Sequence, residues 1–254
     1  MIVDSHTHVG SRDTERYPMM SGQDWFQGGV VDVDELLAVM DSAGVDKAVA
    51  VQYVGAYGYD CRYAADAVAS APERLALVTA VDMDDPMIHP SARAVRAFGV
   101  RDASWLDDDR GERLWAMAEE HGTGIVPTLW ARDLPKLRPL IERHPDVPVA
   151  VDHCGFPDPV DVVPPELLAL VDLPGVHCKV STHVLHPIAD PAAYVYVLAA
   201  AFGHRLCWGS DFPQTQTPSY AGMVELARSA AAALDGAARD AFLGGTSFRL
   251  WFPR

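Results

Sequence analysis

The chain has no apolar run that reaches the ~18 residues a membrane-spanning helix needs. It opens Met1-Ile2-Val3-Asp4, without the basic and apolar regions of a secretory signal. A soluble, cytoplasmic protein with no membrane partner is expected. Lysine is scarce, with Lys47, Lys136 and Lys179 the only three, and 20 Lys and Arg face 35 Asp and Glu for a formal net charge of -15. That balance excludes the basic surface through which nucleic acid is bound by counterion release. It also repels anionic small molecules, so a carboxylate-bearing ligand would need a local cationic cluster in its pocket. Cysteine is equally thin: Cys61, Cys154, Cys178 and Cys207 are scattered and none lies in a Cys-x-x-Cys pair. Neither a disulfide framework nor a zinc knuckle is indicated, and reduced, buried thiols are expected.

What is present is a globular balance, with 49% hydrophobic and 22% charged residues over 254 positions. Eight short apolar runs read as strands: 2–8, 47–53, 75–82, 98–103, 124–130, 147–155, 176–182 and 205–211. After the first gap their starts are about 22 to 29 residues apart, the length of one strand, one helix and two loops in a barrel repeat. The segments between them read as helices over 34–42, 62–70, 91–97, 112–120, 134–143, 165–171, 192–201 and 223–233, several ending at Gly or before Pro. Alternating strands and helices without a linker predict an α/β fold, a single-domain (β/α)8 TIM barrel over residues 1–254. The loop from Gly10 to Gly29, which carries Trp25 and Phe26, is longer than most such connections. It is either a cover for a substrate or a structural flap.

Polar residues at the C-terminal ends of otherwise apolar barrel strands surround a shared pocket. Asp4-Ser5-His6-Thr7-His8 places two imidazoles on one side of the first strand, because strand side chains alternate. Such a pair is suited to one metal ion, although His-x-His alone is a weak signal. Val151-Asp152-His153-Cys154-Gly155 ends the sixth strand and Trp208-Gly209-Ser210-Asp211 the eighth. Three strand ends thus contribute His6, His8, His153 and Asp211, and Asp211 is the candidate general base with His153 across the pocket.

The sequence resembles the amidohydrolase-related branch of the amidohydrolase superfamily. The resemblance is carried by Asp-x-His-x-His at Asp4 to His8, Asp-His-x-Gly at Asp152 to Gly155, Lys-x-Ser at Lys179 to Ser181 and Gly-Ser-Asp-x-Pro at Gly209 to Pro213. Val51-Gln52 with Tyr57-Gly58-x-Asp60, Pro72-x-Arg74 and Gly99-Val100-Arg101 are similar to its lactonase-like members. The resemblance implies a TIM-barrel hydrolase with a mononuclear site or its relic: a divalent ion, zinc, held by His6, His8 and Asp211, or catalysis without metal. Relatives commonly add a histidine on the fifth strand, where this chain reads Ile125-Val126-Pro127-Thr128-Leu129-Trp130. Three ligands still match an open zinc site with a position left for water.

Arg101 and Lys179 are the candidate cations for a substrate carboxylate; Lys179, inside a strand, has ion pairing within the barrel as its equal alternative. Tyr53, Tyr57, Trp130 and His183 are the remaining candidate substrate contacts, with His186 beside them at the mouth. His121 and His144 fit helix ends, His89 a loop, and His177 and His204 the barrel bottom. The expected activity is opening of a lactone or related cyclic ester, a sugar-acid or dicarboxylate lactone, by water activated at Asp211. A decarboxylase or hydratase of an unsaturated or aromatic acid is the alternative, and a barrel that only binds a small acid is the third reading. The partner is therefore a small molecule, anionic or polyhydroxylated. A homo-oligomer is compatible with the sequence.

Overall fold

A computed structural model of the protein describes residues 1–21, 29–215 and 217–252. Eight parallel strands run β1 Val3–Thr7, β2 Lys47–Val51, β3 Leu75–Val81, β4 Ala92–Phe98, β5 Gly124–Thr128, β6 Val149–Val151, β7 Val176–Ser181 and β8 Leu206–Gly209, hydrogen-bonded in sequence order. The helices are α1 Val33–Ala43, α2 Val54–Tyr57, α3 Arg62–Ser70, α4 Asp109–His121, α5 Arg138–Arg143, α6 Pro165–Leu168, α7 Thr182–Leu185, α8 Pro191–Phe202, α9 Tyr220–Ala230, α10 Gly236–Asp240 and α11 Thr246–Trp251. This is the (β/α)8 barrel expected from the alternation of apolar runs and helical segments.

The ring closes where β1 meets the end of β8, and it does so through mixed contacts. The Ser5 hydroxyl donates to the Trp208 carbonyl at 2.7 Å, the Asp211 amide to the His6 carbonyl at 2.8 Å, and the His8 amide to the Phe212 carbonyl at 2.7 Å. Buried Asp4 ties the same seam, accepting from the Ser210 amide at 2.8 Å and the Tyr220 hydroxyl at 3.1 Å. Gly209 permits this approach: a Cβ there would lie 2.6 Å from the His6 Cβ and 3.0 Å from its amide nitrogen, inside van der Waals contact. Closing the seam sets the first-strand histidines beside Asp211.

One expectation is corrected. The fourth strand is Ala92–Phe98, and not 98–103, and the helix expected over 91–97 is that strand. Ala-Arg-Ala-Val-Arg-Ala-Phe is rich in helix formers, but pairing of Ala94 to Phe98 with Gly124 to Thr128 and burial between two strand neighbours override local propensity. The chain beyond the eighth repeat forms α10 and α11. Trp251, 1% exposed, packs there with Val49, Ala76, Val78, Ala94, Val126 and Ala150 and plugs the strands' N-terminal end. Of the Gly10–Gly29 loop, Tyr17 is buried and donates to Asp66, while Trp25 and Phe26 lie outside the described residues.

Candidate active site

At the opposite, C-terminal mouth lies a cavity of about 390 Å³ whose lining includes His8, Arg96, His153, His183 and Asp211. His6, from β1, is 1% exposed beneath it. Its Nε2 stands 3.6 Å from Asp211 Oδ1, and His8 Nε2 stands 3.2 Å from the same oxygen. Asp211 follows β8 with a φ of 62°, and His153 follows β6 with a φ of 53°. Both therefore occupy the left-handed region, costly for a residue with a side chain and concentrated at functional sites.

The hydrogen-bond network assigns the imidazole tautomers. His8 Nδ1–H donates to the Val51 carbonyl at 2.9 Å, and its Nε2 faces Asp211 Oδ1 at 3.2 Å. His153 Nε2 accepts from Arg96 Nη2 at 3.2 Å, its Nδ1–H donates to Ser181 Oγ at 2.9 Å, and that hydroxyl donates to His183 Nδ1 at 3.1 Å. His6 differs from both, since each of its buried ring nitrogens lacks a directed hydrogen bond among the described residues, although Nδ1 is 3.3 Å from Asp152 Oδ1.

The charges beneath the cavity explain the titration states. Burial pushes His6 down to about 3, only partly opposed by Asp152, so its imidazole is neutral at physiological pH. Burial likewise holds His153 well below the usual imidazole range, with His183 adding to the effect. Burial alone would raise Asp152, but Lys179 and Arg96 outweigh it and keep the carboxylate ionised, well below the usual range. Burial alone would raise Asp211 as well, but His183 and His8 against its carboxylate, with His153 and His6 beside them, outweigh it and hold the group well below that range.

Neutral imidazoles and an ionised carboxylate are the donor forms a divalent cation requires. Ligand atoms of His6, His153 and Asp211 all lie within 4.8 Å of one another. Both nitrogens of His153 are occupied by Arg96 and Ser181, however, whereas His6 Nε2 is an orphaned buried atom and His8 Nε2 faces the shared Asp211 oxygen. Spacings of 3.2 and 3.6 Å to that oxygen are close to the ~3.3 Å that separates two ligands of a tetrahedral zinc ion. His6 and Asp211 thus suit one ion, and the donor atoms that all close to within 4.8 Å are theirs and those of His153, with His8 Nε2 facing the same Asp211 oxygen from the other side.

Tyr53, Trp130 and His183 line the same cavity, and Tyr53 stacks on His8 with ring centroids 4.6 Å apart. The two expected cations, Lys179 and Arg101, are not brought together in this cavity. Lys179 is 1% exposed and points under the cavity at Asp152 Oδ1, 3.2 Å away, where it balances a buried charge. Arg101 lines a neighbouring cavity of about 270 Å³ with Asp82, Asp84 and Asp102. Tyr57 turns away as well, its hydroxyl accepting from the Ser11 amide at 2.7 Å. The cation on the wall is Arg96, whose Nε donates to Asp152 Oδ2 at 2.7 Å and to Thr128 Oγ1 at 3.0 Å. Its signal was an arginine inside an apolar strand-length stretch, hidden by the helical reading of that stretch. Thr128 occupies the end of β5 and donates to Asp152 at 2.9 Å. Asp152, passed over beside His153, is the hub of the buried charges.

A closed ring of parallel strands with imidazoles and a carboxylate gathered at its C-terminal mouth is the architecture of (β/α)8 barrel enzymes. The chain belongs to the amidohydrolase 2 family, whose model, described as amidohydrolase, matches residues 3–252. No curated protein matches it in sequence. Among solved structures it is similar to a candidate 2-pyrone-4,6-dicarboxylic acid hydrolase from Pseudomonas putida, with 24% identity, a TM-score of 0.82 and coverage of 98% of this chain and 96% of that one. It is similar to an amidohydrolase from Burkholderia multivorans with bound zinc, with 23% identity, a TM-score of 0.78 and 98% coverage of both chains. A 2,6-dihydroxybenzoate decarboxylase shares 12% identity, a TM-score of 0.69 and 98% coverage of both chains. At these identities the likeness is one of fold. Among the described residues no helix is long and apolar enough to cross a membrane.

Proposed function

We propose that the protein hydrolyses a lactone or related cyclic ester that carries a carboxylate, with Asp211 as the general base. The observation that carries this reading is the placement of an ionised Asp211 against His6, His8 and His183 on the wall of a cavity that also presents Arg96. Asp211 takes a proton from a water in the cavity as that water's oxygen attacks the ester carbonyl carbon. The ring carbon–oxygen bond then breaks, and the leaving alkoxide recovers the proton from the Asp211 carboxyl group. His153, fixed by Arg96 and Ser181, orients the reacting carbonyl or water, and Arg96 attracts the substrate carboxylate through a charge-assisted hydrogen bond. His6, His8 and Asp211 would hold a divalent ion, zinc by the nature of the donors, which when bound supplies Lewis acidity toward the water and carbonyl. Zinc in the Burkholderia multivorans relative supports that choice.

Carboxylated lactones offered to the purified protein, with ring opening and CO₂ release followed together, test the proposal. Ring opening without CO₂ is expected. Release of CO₂ from an unsaturated or aromatic acid, with no lactone opened, would replace it with a decarboxylase; tight binding without either product would leave a binding protein.

A further inference from the structure

We infer that the substrate carries, besides its reacting ring, an apolar arm, alkyl or aryl and without an anionic end, which leaves the catalytic cavity over Trp130 and Phe156 and lies in an adjoining groove beside Val162, Pro164 and Pro165. The inference rests on the hydrolase reading for the reacting ring and on the groove for the arm.

The groove has a volume of about 570 Å³ and shares a wall with the catalytic cavity, because Trp130 and Phe156 line both. That wall is held from both sides. Trp130 Nε1 donates to the Val100 carbonyl at 2.8 Å, and the indole, 37% exposed, has its ring centroid 5.3 Å from that of Phe156. Phe156 ends a run of four residues with left-handed φ: His153 at 53°, Cys154 at 55°, Gly155 at 74° and Phe156 at 51°. Three of the four carry side chains, which makes the run costly, and such strain collects at functional sites. One turn of chain thus presents His153 to the catalytic cavity and sets Phe156 between cavity and groove.

The groove offers little to a polar arm. Pro164 and Pro165 have no N–H, the Val162 amide donates to the Pro159 carbonyl at 3.2 Å, and the Trp130 N–H is spent on Val100. A hydroxyl-rich arm would give up its water for few donors, and unmatched polar groups are costly to bury. The two aromatic rings, the prolines and Val162, 49% exposed, offer apolar surface instead.

The charges disfavour an anion. Asp158 and Glu166 line the groove and form no ion pair among the described residues, whereas Arg132 lies over the Trp130 ring at 5.7 Å with Asp133 3.7 Å from its Nε. Two unpaired carboxylates against one paired guanidinium repel an arm that ends in a carboxylate.

Equilibrium binding of n-alkanoates to the wild-type protein, by calorimetry, tests this, since they offer Arg96 a carboxylate and the groove an arm but contain no ester. A fully buried methylene tightens binding about fourfold, so dodecanoate is expected to bind at least about tenfold tighter than octanoate. Val162→Asp should remove most of that gain, because a carboxylate would then line the arm's path. Val197→Asp, on α8 and away from the groove, should leave the gain intact; both valines are about half-exposed, so neither change disturbs the core. Dodecanedioate should bind more weakly than dodecanoate. A gain that survives Val162→Asp would place the chain elsewhere and overturn the inference, as would affinities that do not rise with length, or tighter binding of the diacid that is lost in Arg132→Gln. Because nothing is hydrolysed, these affinities are independent of turnover. A protein that binds the acids as expected yet opens no lactone overturns the hydrolase reading alone, and a lactonase indifferent to chain length overturns this inference alone.

Discussion

His8 and Asp211 come from opposite ends of the chain, yet the Nε2 of one stands 3.2 Å from Oδ1 of the other. The contact depends on the seam between β1 and β8, where Asp4, Ser5 and Ser210 bind the two strand ends together. Five consequences can be measured.

Gly209 is where that seam is tightest. Gly209→Ala places a methyl group 2.6 Å from the His6 Cβ, so the strands must part. A loss of about 1–3 kcal/mol in urea unfolding is expected, the usual cost of overpacking, together with a fall in kcat as His6 and Asp211 separate. Unchanged stability would show that the seam yields without strain.

Lys179 belongs to the scaffold beneath the site. Lys179→Met leaves Asp152 with Arg96 as its nearest remaining fixed cation and is expected to destabilise by about 3 kcal/mol, as removal of one member of a buried pair does. Lys179→Arg should recover part of the loss. A variant of full stability with reduced affinity for acids would instead place Lys179 in contact with substrate.

His144 contributes stability that depends on pH. Its Nδ1 donates to Glu119 at 2.9 Å and its Nε2 to Glu112 at 3.0 Å, an arrangement that needs the imidazolium. Burial lowers its pKa, but the two glutamates outweigh burial and the net shift is upward. Since the folded value exceeds the unfolded one, the contribution is fully present below about pH 6.5 and disappears as pH rises through the raised folded value. The stability difference between wild type and His144→Gln should therefore shrink from pH 6 to pH 9; a constant difference would contradict the ion pairs.

The metal donors make a prediction independent of turnover. After incubation with zinc and desalting, the wild type should retain about one ion per chain, as expected for one open tetrahedral site. His6→Asn and His8→Asn should retain none, whereas His153→Asn, whose nitrogens are engaged by Arg96 and Ser181, should still bind. Retention by His6→Asn, with loss in His153→Asn, would exchange the two imidazoles.

Much of the fold is legible in the sequence because seven of its strands carry their own signal. Lys47–Val51 and Leu75–Val81 are β-branched and apolar, and α3 spans Arg62–Ser70, as its pattern predicts. β4 is not legible, because its alanines and arginines suit a helix and only its neighbours make it a strand. The Asp-His of Asp152-His153 and the Ser-Asp of Ser210-Asp211 point to the site because polar residues end apolar strands there. Arg96 escaped because its strand was misread, and Lys179 was ambiguous because sequence records a buried cation without its partner. Trp251 plugs the barrel from a helix beyond the last repeat, where strand and helix counting had already ended.

The central claim is that Asp211 is the base, and turnover by Asp211→Asn on the lactone that the assay identifies tests it most directly. The account predicts a fall in kcat of about 10²–10⁴-fold with KM changed far less. For the wild type it predicts a kcat/KM that falls only below the usual carboxylate range near pH 4, because the folded environment holds Asp211 ionised. Turnover in Asp211→Asn within a few-fold of wild type would contradict it.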